Sequence, residues 1–405
     1  MSLESETGAT RTVARASGPG AYILKLMIAC LERGRITIVT PSGQRIDHRS
    51  DAPGPEAVLI VHRWRAIRRL LTGGDLAFAE AYIEGDWSSP DLTLLIELAA
   101  LNLEHIEQVV GGLLPVRLVN RLRHVLKANS KAGSRRNIAF HYDLGNDFYS
   151  LWLDPSMTYS SALYRQSGQT LETAQQARLQ RVVELLDLGG GKEVLEIGCG
   201  WGNLAVVLGR HGARVTGITL SAEQLAHARN LVQKEKLDGT VALELQDYRD
   251  TQGTFDRIVS IEMFEAVGEK YWPTYFSILR ERLKPGGKAV LQVITIDEKR
   301  FESYRSNADF IQRYIFPGGM LPTKTIMTEL AKQAHLTLAS VDSFGASYAL
   351  TLAEWRRRFL KAWPMIEAIG FSHNFQRIWE YYLSYCEAGF RVGTIDVGLY
   401  VLEKD

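Results

Sequence analysis

Cysteine is scarce in this chain: Cys30, Cys199 and Cys386 are the only three among 405 residues. An odd, widely spaced set makes neither a disulfide framework nor a zinc site, and it suits a reducing cytoplasm. No bound metal is expected. Long apolar runs are missing too, with none near the roughly eighteen residues that a membrane-spanning helix requires. The opening segment MSLESETGATRTVARAS has no apolar stretch of the kind a secretion signal needs. Residues 1–18 read as a disordered N-terminus. Nor does one sign of charge prevail, since Lys+Arg 47 against Asp+Glu 46 leaves a formal net charge of +1. That balance argues against a nucleic-acid binder, which normally carries a basic excess. No internal repeat is evident. What is present is length and apolar content, 46% hydrophobic residues, enough for two or three domains with sizeable cores.

The most informative segment is Val194-Leu195-Glu196-Ile197-Gly198-Cys199-Gly200-Trp201-Gly202, followed by the helix-like Asn203–Leu208. A strand that turns through glycines into a helix N-terminus lets backbone come close to a ligand. The spacing is tighter than the G-x-G-x-x-G of dinucleotide sites. The Glu196 carboxylate suits a cationic, amino-acid-bearing cofactor and would repel a pyrophosphate. Both features point to S-adenosylmethionine (SAM). Further strands are expected at Ala213–Leu220, Val241–Leu245, Phe255–Ile261 and Lys288–Ile294, with a helix over Ala222–Lys236 and a turn at Lys284–Gly287. Short apolar runs alternating with helix-length segments imply an α/β fold, a doubly wound parallel sheet covered on both faces. Ligands bind beyond the carboxyl ends of such strands. Glu196, Thr219–Ser221, Asp247-Tyr248 and Glu262 all fall there.

Before this domain, residues 19–127 read as a smaller mixed α/β domain. They include a helix at Ile23–Arg33, strands at Arg35–Thr40 and Ala57–Trp64, the small, acidic Gly74–Trp87 and the leucine-rich Leu92–Leu103. Pro115–Lys127 is a basic amphipathic helix. Its pattern serves equally a helix lying in an anionic lipid interface and one packed on its neighbours. Leu352–Trp363 leaves the same two readings open. Residues 128–136 form a polar linker, and 137–405 the catalytic domain.

Residues 137 to about 395 resemble the cyclopropane-fatty-acyl-phospholipid synthase and mycolic-acid methyltransferase family. The matching segments include His141–Tyr149 (HYDLGNDFY), Tyr159-Ser160, the glycine loop, TLSAEQ at 219–224, QDYRD at 246–250, MFEAVG at 263–268, RYIFPGGMLP at 313–322, SFGASY at 343–348 and YYLSYCEAGF at 381–390. The resemblance implies a Rossmann-like, SAM-dependent methyltransferase acting on cis-unsaturated acyl chains of phospholipids. It also implies a homodimer, cytoplasmic and peripherally associated with the anionic inner face of the cell membrane. For the cofactor it implies Tyr159 and Ser160 from a lid segment, and Glu196, Gly198 and Gly200, with Gly202 in the same loop, at the amino acid portion. Thr219 and Gln224 would face the ribose and amino acid, Asp247 and Tyr248 the adenine, and Ile261 would line the pocket. His141, Tyr142, Tyr314, Phe316 and Cys386 are implied in substrate contact or positioning, and the segment Thr295–Pro322 in covering the acyl chain.

The family's reaction transfers a sulfonium methyl to a π bond and leaves a carbocation, so alignment and a dry pocket carry much of the catalysis. A base then removes a proton. Loss from the new methyl closes a cyclopropane; loss from a chain carbon gives a methyl-branched olefin, and a methylene product needs a hydride shift before the methyl loses its proton. Cyclopropane-forming members use bicarbonate as base, held by a Cys, a Glu, a His, an amide beside an Ile, and a Tyr. Glu265, Ile294 and Tyr348 match that set, whereas the Cys position is Ser161 and the His position is Gln292. Glu262 stands where those enzymes have Gly. The expectation is that the Glu262 carboxylate replaces bicarbonate, with Ser161 and Gln292 as hydrogen-bond donors. The alternatives are a cyclopropane synthase, with Glu262 a solvated strand-end residue, and a non-catalytic SAM- or lipid-binding protein.

Overall fold

The computed structural model describes residues 19–103, 105, 106 and 144–405. The expected disordered start, the helix Pro115–Lys127, the linker 128–136 and the pair His141 and Tyr142 lie outside the described residues. The chain divides into two compact units, Met1–Val116 and Arg117–Asp405.

In the first unit, α1 (Pro19–Ile28) precedes β1 (Arg33–Val39), β2 (Arg45–Arg49) and β3 (Ala52–Val61). Then come α2 (Arg65–Ile83), the short β4 (Trp87–Ser88) and α3 (Leu92–Leu101). The sheet order is β2-β1-β3-β4, with β1 and β3 parallel and the other pairs antiparallel. Alternation places Ile36 and Ile38 of β1 inside with Leu59, Val61, Leu95 and Leu98. Asn102, at the end of α3, accepts from the amides of Glu32 and Arg33 and donates to the carbonyls of Arg33 and Leu98. This clasp starts β1 at Arg33, where the sequence suggested a helix still running. The Gly74–Trp87 stretch is largely the second half of α2, which kinks at Gly74 (φ 69°, ψ −156°).

The second unit begins with α4 (Asn146–Ser150) and α5 (Leu171–Leu186), and continues through β5 (Glu193–Ile197), α6 (Asn203–Arg210), β6 (Arg214–Thr219) and α7 (Ala222–Lys234). Next are β7 (Val241–Leu245), β8 (Phe255–Ile261), α8 (Trp272–Arg282) and β9 (Leu283–Ile296). The remaining elements are α9 (Glu298–Ser306), α10 (Lys324–Gln333), β10 (Thr337–Ser343), α11 (Gly345–Ala368), α12 (His373–Val392) and β11 (Ile395–Glu403). Seven strands run in the order β10-β11-β9-β8-β5-β6-β7. Five are parallel, as expected, while β11 pairs antiparallel with both β9 and β10. These two edge strands were not anticipated. The expected turn Lys284–Gly287 is instead the irregular start of β9, with Gly286 at φ 68° and its amide donating to Lys404.

Strand alternation sends Leu195 and Ile197 to one core and Val194 and Val259 to the other. The chain leaves β5 toward β6 on one side and returns to β8 on the other. The carboxyl ends of β5 and β8 therefore flank the switch-point crevice in which ligands bind in such sheets.

Candidate active site

On the β5 side of the crevice, the glycine loop takes backbone angles open to glycine: Gly198, Gly200 and Gly202 have φ of 85°, 53° and 88°. The amides of Gly198 and Cys199 both donate to the Ile218 carbonyl at 2.9 Å, folding the loop back over β6. A Cβ on Gly202 would stand 2.8 Å from that of Ala228, and one on Gly198 would stand 3.1 Å from Met263 in the β8 turn. Residues 146–161 lie across this loop, through Asn146 to the Trp201 indole (2.7 Å) and Thr158 to Asn203 (3.0 Å). Ser160, at the end of that segment, accepts from Arg178 at 3.2 Å and gives its carbonyl to Gln175. Tyr159 is walled by the rings of Tyr149, Trp152 and Trp355, and its hydroxyl pairs with that of Tyr382 at 2.8 Å.

Glu196 is buried beneath the loop, and its Oε2 has no hydrogen-bond partner. Burial pushes its pKa up to about 8, against the opposing charge of Arg178. A buried carboxylate oxygen without a partner is costly unless a ligand completes it. The ammonium of SAM's methionine portion meets that need, so the cradle fits the cofactor. Thr219 bonds Gln224 at 3.3 Å, and Ser221 caps α7, so both expected ribose-side residues sit together. At the end of β7 the Asp247 carboxylate is gripped by the Arg249 fork at 2.8 and 2.6 Å. Arg249 also lies over the Tyr248 and Tyr271 rings. Burial pushes the Tyr248 hydroxyl up to about 12. Ile261, half-buried, ends β8 against the same core as Cys199.

Across the crevice, Glu262 occupies a left-handed backbone conformation, φ 49°. For a residue other than glycine this costs about 1–2 kcal/mol, and such strain concentrates at functional sites. Its carboxylate is held by three donors. Oε1 accepts from the Ser161 amide at 2.8 Å and from Gln292 Nε2 at 2.7 Å, and Oε2 accepts from the Tyr348 hydroxyl at 2.6 Å. Burial raises the Glu262 pKa, while Tyr348, Ser161, Gln292 and Arg178 oppose that rise. Tyr348 is pushed well above its ordinary range by burial and by Glu262, so it stays a donor. Glu265 is placed differently: Oε1 takes the Ile294 amide at 2.6 Å and Oε2 has no partner. Burial, reinforced by Glu262, pushes its pKa up to about 8. Of these two coupled carboxyls the better-solvated Glu262 holds the charge and Glu265 the proton.

Two details correct the expectation. Ser161 reaches Glu262 through its backbone amide, while its hydroxyl turns to the Ala162 carbonyl. The carboxylate is drawn close to the chain, so the backbone donor meets it first. The Ile294 amide serves Glu265 and not the anion position. Phe310 packs at a tilt against Tyr314 and against Tyr381 of α12, and Phe316 meets Tyr382, whose hydroxyl bonds Tyr159. Cys386, also on α12, has a thiol that burial pushes well up, which suits packing and not nucleophilic attack. Sequence reasoning missed Arg178. A signal existed, because Leu171, Ala174, Gln175, Arg178, Leu179, Val182 and Val183 form the buried stripe of α5 and an arginine interrupts it.

A glycine-loop cradle at the switch point, facing a seated carboxylate, defines a SAM-dependent methyltransferase. The chain belongs to the mycolic acid cyclopropane synthetase family, whose model matches residues 129–399. It is 37% identical over 358 residues to the tuberculostearic acid methyltransferase UfaA1 of Mycobacterium tuberculosis, covering 86% of this chain and 83% of that one. It is 38% identical over 351 residues to the cyclopropane-fatty-acyl-phospholipid synthase of Escherichia coli K12, covering 83% and 85%. Among solved structures it resembles the mycolic acid cyclopropane synthase CmaA1 complexed with SAH and CTAB. That match has a TM-score of 0.63 and 30% identity, over 69% of this chain and 100% of that one.

Proposed function

We propose that this enzyme transfers a methyl group from SAM to the double bond of cis-unsaturated acyl chains of phospholipids, giving a methyl-branched chain, with Glu262 as the base. The observation that carries this reading is the seat of Glu262, a carboxylate held by Ser161, Gln292 and Tyr348 where the bicarbonate users would hold their anion. SAM supplies the electrophilic methyl. The π electrons of the chain form the new carbon–carbon bond as the methyl–sulfur bond breaks and leaves its electrons on the sulfur of S-adenosylhomocysteine, and the adjacent chain carbon becomes cationic. Glu262 faces that charge from a dry pocket, where a carboxylate stabilises it without hydrating it. Oε2 accepts one hydrogen bond and keeps a lone pair. That lone pair takes a proton from a neighbouring chain carbon, the C–H electrons form the new double bond, and Glu262 ends protonated. Tyr159, Trp152 and Trp355 add π-rich walls.

Overall identity does not separate this product from a cyclopropane, because the two relatives above match about equally well. The base site supplies the difference. Purified enzyme, SAM and vesicles of unsaturated phospholipid, analysed by mass spectrometry and NMR, test it. Methyl-branched chains are expected; a cyclopropane as sole product would contradict the reading.

The same proposal has the enzyme work as a homodimer at the anionic inner face of the cell membrane. No described helix is long and apolar enough to cross a membrane. Leu350, Met365 and Ile369 are exposed apolar side chains on α11 and at its end. Sedimentation with anionic but not zwitterionic vesicles, and a dimer mass in solution, are the expected results.

A further inference from the structure

Arg178 is a buried cation with unfinished hydrogen bonding. Its side chain sits on the inner face of α5, 2% exposed. One nitrogen, Nη2, donates to Ser160 Oγ at 3.2 Å, while Nε and Nη1 have no partner. Burial pulls its pKa down only to about 10, against the charges of Glu262, Glu196 and Asp154, so it remains cationic at neutral pH.

None of those three carboxylates takes its free N–H groups. Glu262 is already satisfied by three donors. Asp154, 3% exposed, receives Ser156 on Oδ2, and its Oδ1 is unpartnered. Glu196 likewise has a spare Oε2. A buried guanidinium with unfinished N–H groups thus feels the charges of two buried carboxyls with spare oxygens, Glu196 and Asp154. Unmade bonds of this kind are costly in a dry interior, and a guanidinium edge matches a carboxylate in a two-pronged geometry. A ligand that serves both kinds of group carries both charges, which is the description of an α-amino acid zwitterion. Asp154 also lines a cavity of about 530 Å³ with Asn146, Met157 and His227.

We propose that Arg178 binds the α-carboxylate of SAM's methionine portion through the guanidinium edge that carries the free Nε–H, while Glu196 and Asp154 take its ammonium. The inference rests on SAM as the cofactor and adds the charge-matching of its amino acid end. Arg178 also explains why Ser160 lies where it does, since the serine hydroxyl fixes the guanidinium that the cofactor meets.

Calorimetry with two ligands tests this without turnover: S-adenosylhomocysteine and its decarboxylated analogue, which keeps the amine and lacks the carboxylate. The wild-type protein is expected to prefer S-adenosylhomocysteine by ~10–100-fold, the range for a hydrogen-bonded charge. Arg178→Met is expected to bind both alike. Arg178→Lys, which keeps charge and loses the fork, is expected to retain an intermediate preference and guards against a misfolded Met variant. Equal binding of the two ligands by wild type, or an undiminished preference in Arg178→Met, would overturn the proposal. Failure of wild type to bind either ligand would instead undo the SAM reading itself.

Discussion

Glu196 and Glu262 end neighbouring strands of one sheet, Glu196 buried and Glu262 half-buried, and their surroundings are opposite. Glu262 has three hydrogen-bond donors on its carboxylate. Glu196 has an oxygen with no partner, and burial lifts its pKa to about 8. A finished seat marks a group that must already be charged and aimed when the substrate arrives, because catalysis gains most from preorganised electrostatics. An unfinished seat marks a group that a ligand completes. On the proposed reading, the same residue type serves as a base on one strand and a binding site on the next.

The largest effect is expected from breaking the finished seat. Glu262→Gln keeps the shape and removes the basic lone pair, so methyl transfer to lipid should fall by about 10³-fold, within the usual range for a general base. Calorimetric affinity for S-adenosylhomocysteine should hardly move. Glu196→Gln should reverse that pattern, weakening S-adenosylhomocysteine by roughly 10–100-fold through the lost charged contact. Tyr348→Phe removes one donor from the charged form of Glu262 and raises its pKa further. A rate loss of about tenfold is expected, with the acid limb of the pH–rate profile displaced to higher pH.

The smallest effect sharpens the comparison through pH. Glu196 and Glu265 both have folded-state pKa values near 8, above their ordinary value of 4.5. Raised carboxyl values favour the protonated folded form, so their stabilising contribution is complete below about 4.5 and is lost as pH rises through about 8. The melting temperature of the ligand-free protein should therefore decline across that window. S-adenosylhomocysteine should restore more stability at pH 8 than at pH 6, because its ammonium favours ionised Glu196.

The two seats also differ in how far they could be read from the chain. The Glu196 side is local: a strand, three glycines and a helix start within one short segment, and the neighbouring strands follow by periodicity. The Glu262 side is assembled from β8, β9, α11 and the segment before α5. No pattern within any one of them connects Ser161 to Tyr348, and only the resemblance did so. Even then the donor on Ser161 was misjudged, since a backbone amide is the same for every residue type there. Arg178 was legible as a charge on an apolar stripe, but its partners were not. The strands β10 and β11 escaped notice because β10 is mostly exposed and β11 follows a long helix. Lys284–Gly287 has turn composition, yet pairing with its neighbours draws it into β9.

The central claim is that Glu262 takes its proton from the acyl chain and not from the newly delivered methyl group. Incubation of unsaturated phospholipid with methyl-trideuterated SAM, followed by mass spectrometry of the product, tests this directly. Retention of all three deuteriums in a methyl-branched alkene is the predicted result. Retention of two, within a cyclopropane ring, would contradict it.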